Sequence, residues 1–360
     1  MDLLEQARSI INEVDDEMAR LFVRRMEAAE MVAQYKQAHG LPILDASREE
    51  QILRRGAERV EDETLRAYYI NFIRNNMAIS RAYQHRLLEG MRVAYCGTEG
   101  AFAHIATGKL FPSVKRVAYG DFGAAYRAVE DGDCDAAVLP VENSYNGEVG
   151  QVTDLMFSGS LYVNAMIDLA VSHDLLVVPG TAREEIKTVL SHPQALGQCA
   201  EYIRKHGWTP QEYTNTALAA RYVAEKRDPT VAAIASEDAA GVFGLEVMER
   251  NINASRSNTT RFAVFSRSED TNPTRKGETF VLVFTVKHEA GSLARAINVI
   301  GQHGFNMRTL RSRPMKELLW QYYFYVEAEG NVHTEDGRAM LCELENFCDR
   351  LKLVGTYAGV

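Results

Sequence analysis

Three cations recur along one side of the chain's first segment: Arg8, Arg25 and Lys36. Arg8 and Lys36 share one heptad position, and Arg25 stands where an apolar residue of the heptad belongs. Such a set can bind a small anion. Ser80 and Gln84 lie four apart, so on a helix they share a face and can reach one pocket. Farther on, three short polar stretches are candidates for ligand contact: Leu139-Pro140-Val141-Glu142-Asn143-Ser144-Tyr145-Asn146-Gly147, Ser191-His192-Pro193-Gln194-Ala195 and Asn258-Thr259-Thr260-Arg261-Phe262. Each falls at the end of a predicted strand, where open α/β sheets bind ligands. The turn Gly97-Thr98-Glu99-Gly100 precedes a predicted helix, so its backbone N–H groups can face an anion. Taken singly, each feature has a plainer reading. Arg8 and Lys36 can be solvated, Arg25 a tolerated seam charge, and the Ser, Asn and Thr residues caps or turns.

The elements that must position these groups follow from periodicity. Met1 to His39 has no Gly or Pro, and Leu4, Ala7, Ile11, Val14, Met18, Leu21, Ala28, Val32 and Tyr35 form a heptad seam on one long helix. Gly40 and Pro42 end it. Ser47-Arg48-Glu49-Glu50 predicts a capping box for a second helix to about Val60, and a third runs from about Glu63 to Glu89. A helix of about 55 Å is too long to bury its stripe within one three-helix chain, and Arg8 and Lys36 lie roughly 42 Å apart along it. Two chains exchanging their long helices would resolve both difficulties.

From Arg92 the pattern becomes strand–helix alternation. Strands are predicted near 92–96, 115–119, 136–141, 161–167, 172–178, 186–190, 231–235 and 261–266, and helices near 101–110, 121–131, 147–157, 193–206, 215–226 and 236–243. This reads as an α/β segment with largely parallel strands. Ser266–Gly277 reads as a linker. Beyond it, strand 279–287, helix 292–303, strands 305–312 and 319–328, helix 335–348 and strand 352–357 make a βαββαβ order, which is ferredoxin-like.

Composition bounds the function. The 360 residues predict two or three domains, and the net charge of −9 argues against general affinity for nucleic acid or anionic membranes. No apolar run approaches the ~20 residues of a membrane span. The start lacks the pattern of a secretory signal, and five scattered cysteines predict reduced thiols in a cytoplasmic protein and no zinc site. Neither G-x-G-x-x-G nor a Walker motif occurs, so no nucleotide cofactor is expected.

The helical segment, 1–90, resembles AroQ-type chorismate mutase, an intertwined dimer of three-helix chains. The family's substrate-contacting pattern maps onto Arg8, Arg25, Lys36, Asp45, Arg48, Glu49, Ser80 and Gln84. The resemblance implies that chorismate, a dianion, is held in its reactive conformer, with charge stabilised on the ether oxygen. Partner Arg8, Arg25 and Arg48 would take the carboxylates. Lys36 and Gln84 would donate to the ether oxygen, Glu49 would accept from the ring hydroxyl, and Asp45 and Ser80 would complete the shell.

Residues 92–268 resemble prephenate dehydratase, whose cleft lies between two α/β lobes of the periplasmic-binding-protein kind. The chain would cross near 169 and return near 260. The resemblance makes Thr260 catalytic, hydrogen-bonding the leaving oxygen of prephenate, and gives substrate binding to Glu142, Asn143, Ser144, Arg261 and Phe262. For Arg261, a salt bridge within the fold is the other reading. His104, His173 and His192 are possible acids, with structural roles as the alternative. Ala101 and Ala103 stand where the family usually carries hydroxyls.

Residues 278–360 resemble an ACT domain, the amino-acid-sensing module, with effector positions at Gly291, Leu293, Ser312 and Arg313. Arg311 replaces the family's usual glutamate. The whole implies a multidomain enzyme without metal or organic cofactor, a homodimer or higher oligomer. It would convert chorismate to prephenate and prephenate to phenylpyruvate, with phenylalanine as effector. Preference for arogenate, or a ligand-binding regulator that has lost the chemistry, remain the rival readings.

Overall fold

The computed structural model describes residues 2–254, 258–271, 278–315 and 321–358. It forms two compact units, Met1–Arg92 with Asp131–Asp135, and Val93–Glu130 with Ala136–Val360.

The first unit is helical: α1 (Leu3–Ala38), α2 (Ala46–Glu58) and α3 (Glu63–Glu89). A reciprocal Asp2–Glu5 capping box opens α1. The second helix starts earlier than expected. Asp45, not Ser47, is its N-cap, its carboxylate accepting the Arg48 N–H at 3.0 Å. Asp ranks with Ser as a cap, and its charge also complements the helix dipole. The seam on α1 is present but bare. Leu4, Ile11, Val14, Met18, Leu21, Val32 and Tyr35 are all exposed, and the stripe that α1 buries is Met26, Ala29 and Ala33.

The second unit begins with β1 (Arg92–Cys96), α4 (Phe102–Leu110), β2 (Lys115–Tyr119), α5 (Phe122–Glu130), β3 (Ala136–Asn143), β4 (Gly147–Glu148), α6 (Gly150–Ser158) and β5 (Tyr162–Ala170). It continues with β6 (Asp174–Val177), β7 (Thr188–Ser191), α7 (Pro193–Gln198), α8 (Ala200–His206), β8 (Thr209–Glu212), α9 (Thr216–Lys226), β9 (Val231–Ala235), α10 (Glu237–Phe243), β10 (Glu246–Glu249) and β11 (Thr259–Ser266). One sheet has the order β2-β1-β3-β11-β5 with β4 beside β3, and a second has β10-β6-β9-β7-β8. These are two lobes. The chain crosses from β5 to β6 and returns from β10 to β11, and the crossings are tied together. Val171 N–H donates to Asn258 C=O and Ile252 N–H to His173 C=O, each at 2.8 Å.

The expectation of largely parallel strands is corrected. β11 runs antiparallel to both β3 and β5, and β6 antiparallel to β9 and β10. Buried hydrophobic runs identify strands but carry no direction. The helix expected from 147 starts at Gly150, because Gly147 (φ +78°) turns the chain into a short hairpin between β3 and β4. The helix expected over 193–206 is broken at Cys199.

The C-terminal part comprises β12 (Glu278–Thr285), α11 (Ser292–Gln302), β13 (Asn306–Pro314), β14 (Tyr322–Glu329), α12 (Glu335–Glu345) and β15 (Arg350–Ala358). Its antiparallel order, β13-β14-β12-β15, is the expected ferredoxin-like arrangement. Phe280, Leu282 and Phe284 point into a core with Ala296, Val299, Ile300, Met340 and Leu344. The expected linker, Ser266–Gly277, does not separate compact units: Ser266 still belongs to β11, and 272–277 lie outside the described residues, as do 319–320 of an expected strand. Every residue of β12 is buried, which requires cover on both faces of the sheet.

Part of that cover comes through Gly355 (φ +150°), where a Cβ would sit 2.2 Å from the Val163 carbonyl oxygen of β5. Gly355→Ala should therefore destabilise the second unit by about 2–4 kcal/mol, combining backbone strain with overpacking. A urea titration reads this as a lowered midpoint, and an unchanged midpoint would refute the close approach.

Candidate active sites

In the helical unit, α1 and α3 are joined through Arg25. Its guanidinium donates to Ser80 Oγ and, at 3.2 Å, to the Asn76 carbonyl, while Ser80 Oγ also donates to Asn76 C=O at 3.0 Å. This explains a cation at a seam position, and burial holds its pKa below the ordinary guanidinium value. One turn beyond buried Ser80, Gln84 is also buried and its Oε1 has no partner. Lys36 Nζ donates to the Ile43 carbonyl in the loop before α2. Glu49 pairs with Arg81 at 2.5 Å, a residue that sequence reasoning passed over because nothing in its spacing marked it. Asp45 is occupied as a helix cap, and Arg48 is exposed, with Gln51 its neighbour at 3.4 Å. Arg8 is exposed on α1, about 26 Å of helix from Arg25. Arg25, Ser80 and Gln84 are thus brought together, and Arg8 is not.

In the second unit a cavity of about 340 Å³ opens between the lobes. Its walls come from the ends of elements in both lobes: Phe102, Asn143, Glu148, Val171, His173, His192, Gln198, Asn215, Thr216, Asn258 and Thr260. Ala101 lines it without a hydroxyl, and Ala103 is buried in α4.

Asn143 is the junction. Its Oδ1 accepts from the backbone N–H groups of Tyr145 and Asn146, each at 3.0 Å, and from Asn146 Nδ2 at 2.9 Å. Backbone amides only donate, so the carboxamide orientation is settled. Asn143 Nδ2 then donates to Thr260 Oγ1 at 2.9 Å and Asn258 Oδ1 at 2.8 Å, with the Thr259 carbonyl a longer contact at 3.2 Å. Asn258 Nδ2 donates to Gln198 Oε1 at 3.0 Å, and His173 Nε2–H donates to the same oxygen at 2.8 Å. Two consequences follow. Thr260, having accepted at Oγ1, keeps its own hydrogen to donate. His173 is fixed as the Nε2–H tautomer, and its buried Nδ1 has no partner.

Several predicted contacts are corrected. Glu142 is turned away from the cavity and pairs with Arg311 at 2.5 Å. Arg261 forks onto Asp168 at 2.8 and 3.1 Å, the fold-bridging alternative. Phe262 is buried in the sheet, and Ser144 Oγ accepts the Thr259 N–H at 2.9 Å. His104 lies outside the cavity, beside Arg116. Gln198 and Glu148 were missed, since neither spacing nor hydropathy distinguishes them.

At the C-terminus, Gly291 (φ +79°) caps α11, and Leu293 lines a cavity of about 230 Å³ with Thr285–Glu289, Tyr322 and Phe324. Ser312 and Arg313 lie elsewhere, on β13, and Arg313 pairs with Asp154 at 3.0 Å and Glu148 at 3.4 Å. Within one chain the expected effector positions are therefore split.

A model of type II chorismate mutases matches residues 7–85, and one of prephenate dehydratases matches residues 93–270. A bifunctional chorismate mutase/prephenate dehydratase from Enterobacter agglomerans is 31% identical over 97% of this chain and 94% of its own. The chain belongs to the bifunctional chorismate mutase/prephenate dehydratase family. The counterpart from Escherichia coli K12 is 29% identical over 97% of this chain and 95% of its own. Among solved structures, prephenate dehydratase from Arthrobacter aurescens in complex with L-Phe superposes with a TM-score of 0.68 at 25% identity, covering 74% of this chain and 90% of that one. The quorum-quenching acylase GqqA superposes with a TM-score of 0.69 at 29% identity, over 75% and 98%.

In the dehydratase cleft, burial holds the His173 imidazole below its ordinary value, outweighing the Gln198 hydrogen bond. With the folded pKa depressed, the unfolded chain takes up the proton first as pH falls below about 6.5. His173 therefore contributes stability above that pH, and the contribution is lost on acidification toward its folded pKa. The urea midpoint of the second unit should fall less between pH 7.5 and 5.5 in His173→Asn than in the wild type. Equal slopes would mean that His173 titrates alike in the folded and unfolded protein, contradicting the burial-depressed pKa.

Proposed function

We infer that this chain catalyses two consecutive steps, rearrangement of chorismate to prephenate in the helical unit and decarboxylative dehydration of prephenate in the two-lobed cleft. Family membership carries the pair of activities. The observation supporting the second site is the hydroxyl of Thr260, turned into a donor by Asn143 inside the cavity.

For the rearrangement no proton or nucleophile is required, only a held conformer and a stabilised ether oxygen. Arg25, tethered by Ser80 and Asn76, is a preorganised fork for one carboxylate. Lys36 and the buried Gln84 amide are the donors proposed for the ether oxygen, with Arg48, Glu49 and Asp45 closing the site from α2.

The bare seam on α1 supports a dimer in which a second copy covers Leu4, Ile11, Val14, Met18 and Leu21 and delivers its Arg8. We also propose a cytosolic location, since five cysteines, odd in number and scattered along the chain, do not read as a disulfide framework.

In dehydration the bond from the ring to its carboxylate breaks and CO2 departs, the bonding electrons stay to aromatise the ring, and the ring hydroxyl leaves with one added proton as water. Thr260 donates a hydrogen bond to the leaving oxygen. His173, neutral and with its proton committed to Gln198, is an acceptor and not the acid. His192 lines the same cavity, and because its Nδ1 accepts the Gln194 N–H at 3.3 Å, its Nε2–H is the group we assign as a second hydrogen-bond donor to the leaving oxygen. Phenylalanine is the proposed effector, bound between paired C-terminal domains so that residues split within one chain meet across two.

Purified protein supplied with chorismate should yield prephenate and phenylpyruvate. Lys36→Ala should abolish rearrangement, by at least about a hundredfold, while supplied prephenate is still dehydrated. Joint loss in a folded variant would contradict two separate sites. Arg8→Ala and Lys36→Ala proteins, each inactive as a mutase, should recover activity when subunits exchange. No recovery despite proven exchange would remove the shared-site dimer.

A further inference from the structure

On the reading of the cleft as the dehydratase site, we propose that Arg311, from the C-terminal sheet, is a positioning residue for dehydration, acting through Glu142 on Asn143. Alternate residues of a strand face opposite sides. On β3, Asn143 faces the cavity and Glu142 the C-terminal sheet; on β11, Thr260 and Arg261 divide in the same way. The far face of the first sheet thus carries Glu142, Arg261 and Asp168, met by Arg311 and the buried Glu327.

Glu142 is Cα partner of Glu148 across the β3–β4 hairpin. Like charges at such a position repel. Two arginines on β13, two residues apart, answer them. Arg311 takes Glu142 at 2.5 Å and Arg313 takes Glu148 at 3.4 Å and Asp154 at 3.0 Å. Burial works against the charge on Arg311, but the Glu142 carboxylate, with Tyr325 and Glu148, more than compensates, and the guanidinium lies 5.8 Å from the Tyr325 ring. The hairpin held in this way contains the Tyr145 and Asn146 amides that orient the Asn143 carboxamide. A glutamate at 311 would add a third carboxylate beside Glu142 and Glu148, splay the hairpin and draw Asn143 off Thr260. The substrate-binding surfaces contributed by the other lobe would stay in place, so turnover should suffer more than binding.

The test uses the full-length protein and supplied prephenate. Arg311→Glu should lower kcat about tenfold or more with KM changed less than about threefold, since small misplacements of catalytic groups cost this much. The charge swap Arg311→Glu with Glu142→Arg should restore kcat to within about threefold, as expected for a coupled pair. Chorismate rearrangement, housed in the helical unit, is the internal control for a folded protein. If Arg311→Glu does not fold, Arg311→Gln carries the test, with a fall in kcat of about threefold or more at constant KM. A single variant that turns over like the wild type, or a swap no better than the single change, would overturn the proposal alone. A wild-type protein that leaves prephenate intact would overturn the reading of the cleft.

Discussion

The Tyr145 and Asn146 amides can only donate, and by doing so to Asn143 Oδ1 they settle the direction of every hydrogen bond that follows in the cleft. Asn143 Nδ2 donates to Thr260 and Asn258, its two shortest contacts, with the Thr259 carbonyl a longer third acceptor at 3.2 Å; Asn258 then donates to Gln198, and Gln198 receives the His173 proton. The chain of four side chains starts at a turn in the first lobe and ends at the crossing into the second. It leaves a hydroxyl hydrogen at Thr260 and a bare lone pair at His173, two different polarities on one cavity wall. Such preorganised groups need no reorientation at the moment of reaction.

The rest of the second unit can be understood as support for that turn. Gly147 closes the hairpin, β11 slots antiparallel beside β3 to bring Thr260 level with Asn143, and the C-terminal sheet backs the far face. Thr260 and Asn143 are Cα partners, so register alone places hydroxyl against amide. The lower face of the same strands is charged and paired, which is how a sheet can be catalytic on one side and structural on the other.

Much of this was legible in the sequence. The absence of Gly and Pro and the heptad spacing located α1, and the polar stretches at strand ends located Asn143 and Thr260. Two of the errors, at Glu142 and Arg261, have one physical origin. Treating Glu142-Asn143-Ser144 and Thr260-Arg261-Phe262 as blocks ignored the period of two, which sends Glu142 and Arg261 to the opposite face. Asp45 displaced Ser47 as a cap because both fit the role and only the backbone decides. Strand direction, the bare seam of α1 and the role of Gln198 depend on tertiary placement, which local patterns do not encode. Arg311 was visible as a departure from the family's usual residue, but its partner, 169 positions away in the chain, was not.

The central claim, that the Asn143 carboxamide makes Thr260 a donor, is tested most directly by turnover of prephenate in Asn143→Asp. The substitution keeps the shape and the acceptor for the Tyr145 and Asn146 amides but removes the N–H groups. Thr260 would then give its hydrogen to the carboxylate and lose it for the leaving oxygen. The account predicts a fall in kcat of about a hundredfold or more, the usual consequence of losing one preorganised donor, with chorismate rearrangement unchanged in the same protein. Dehydration within about threefold of the wild type would contradict it.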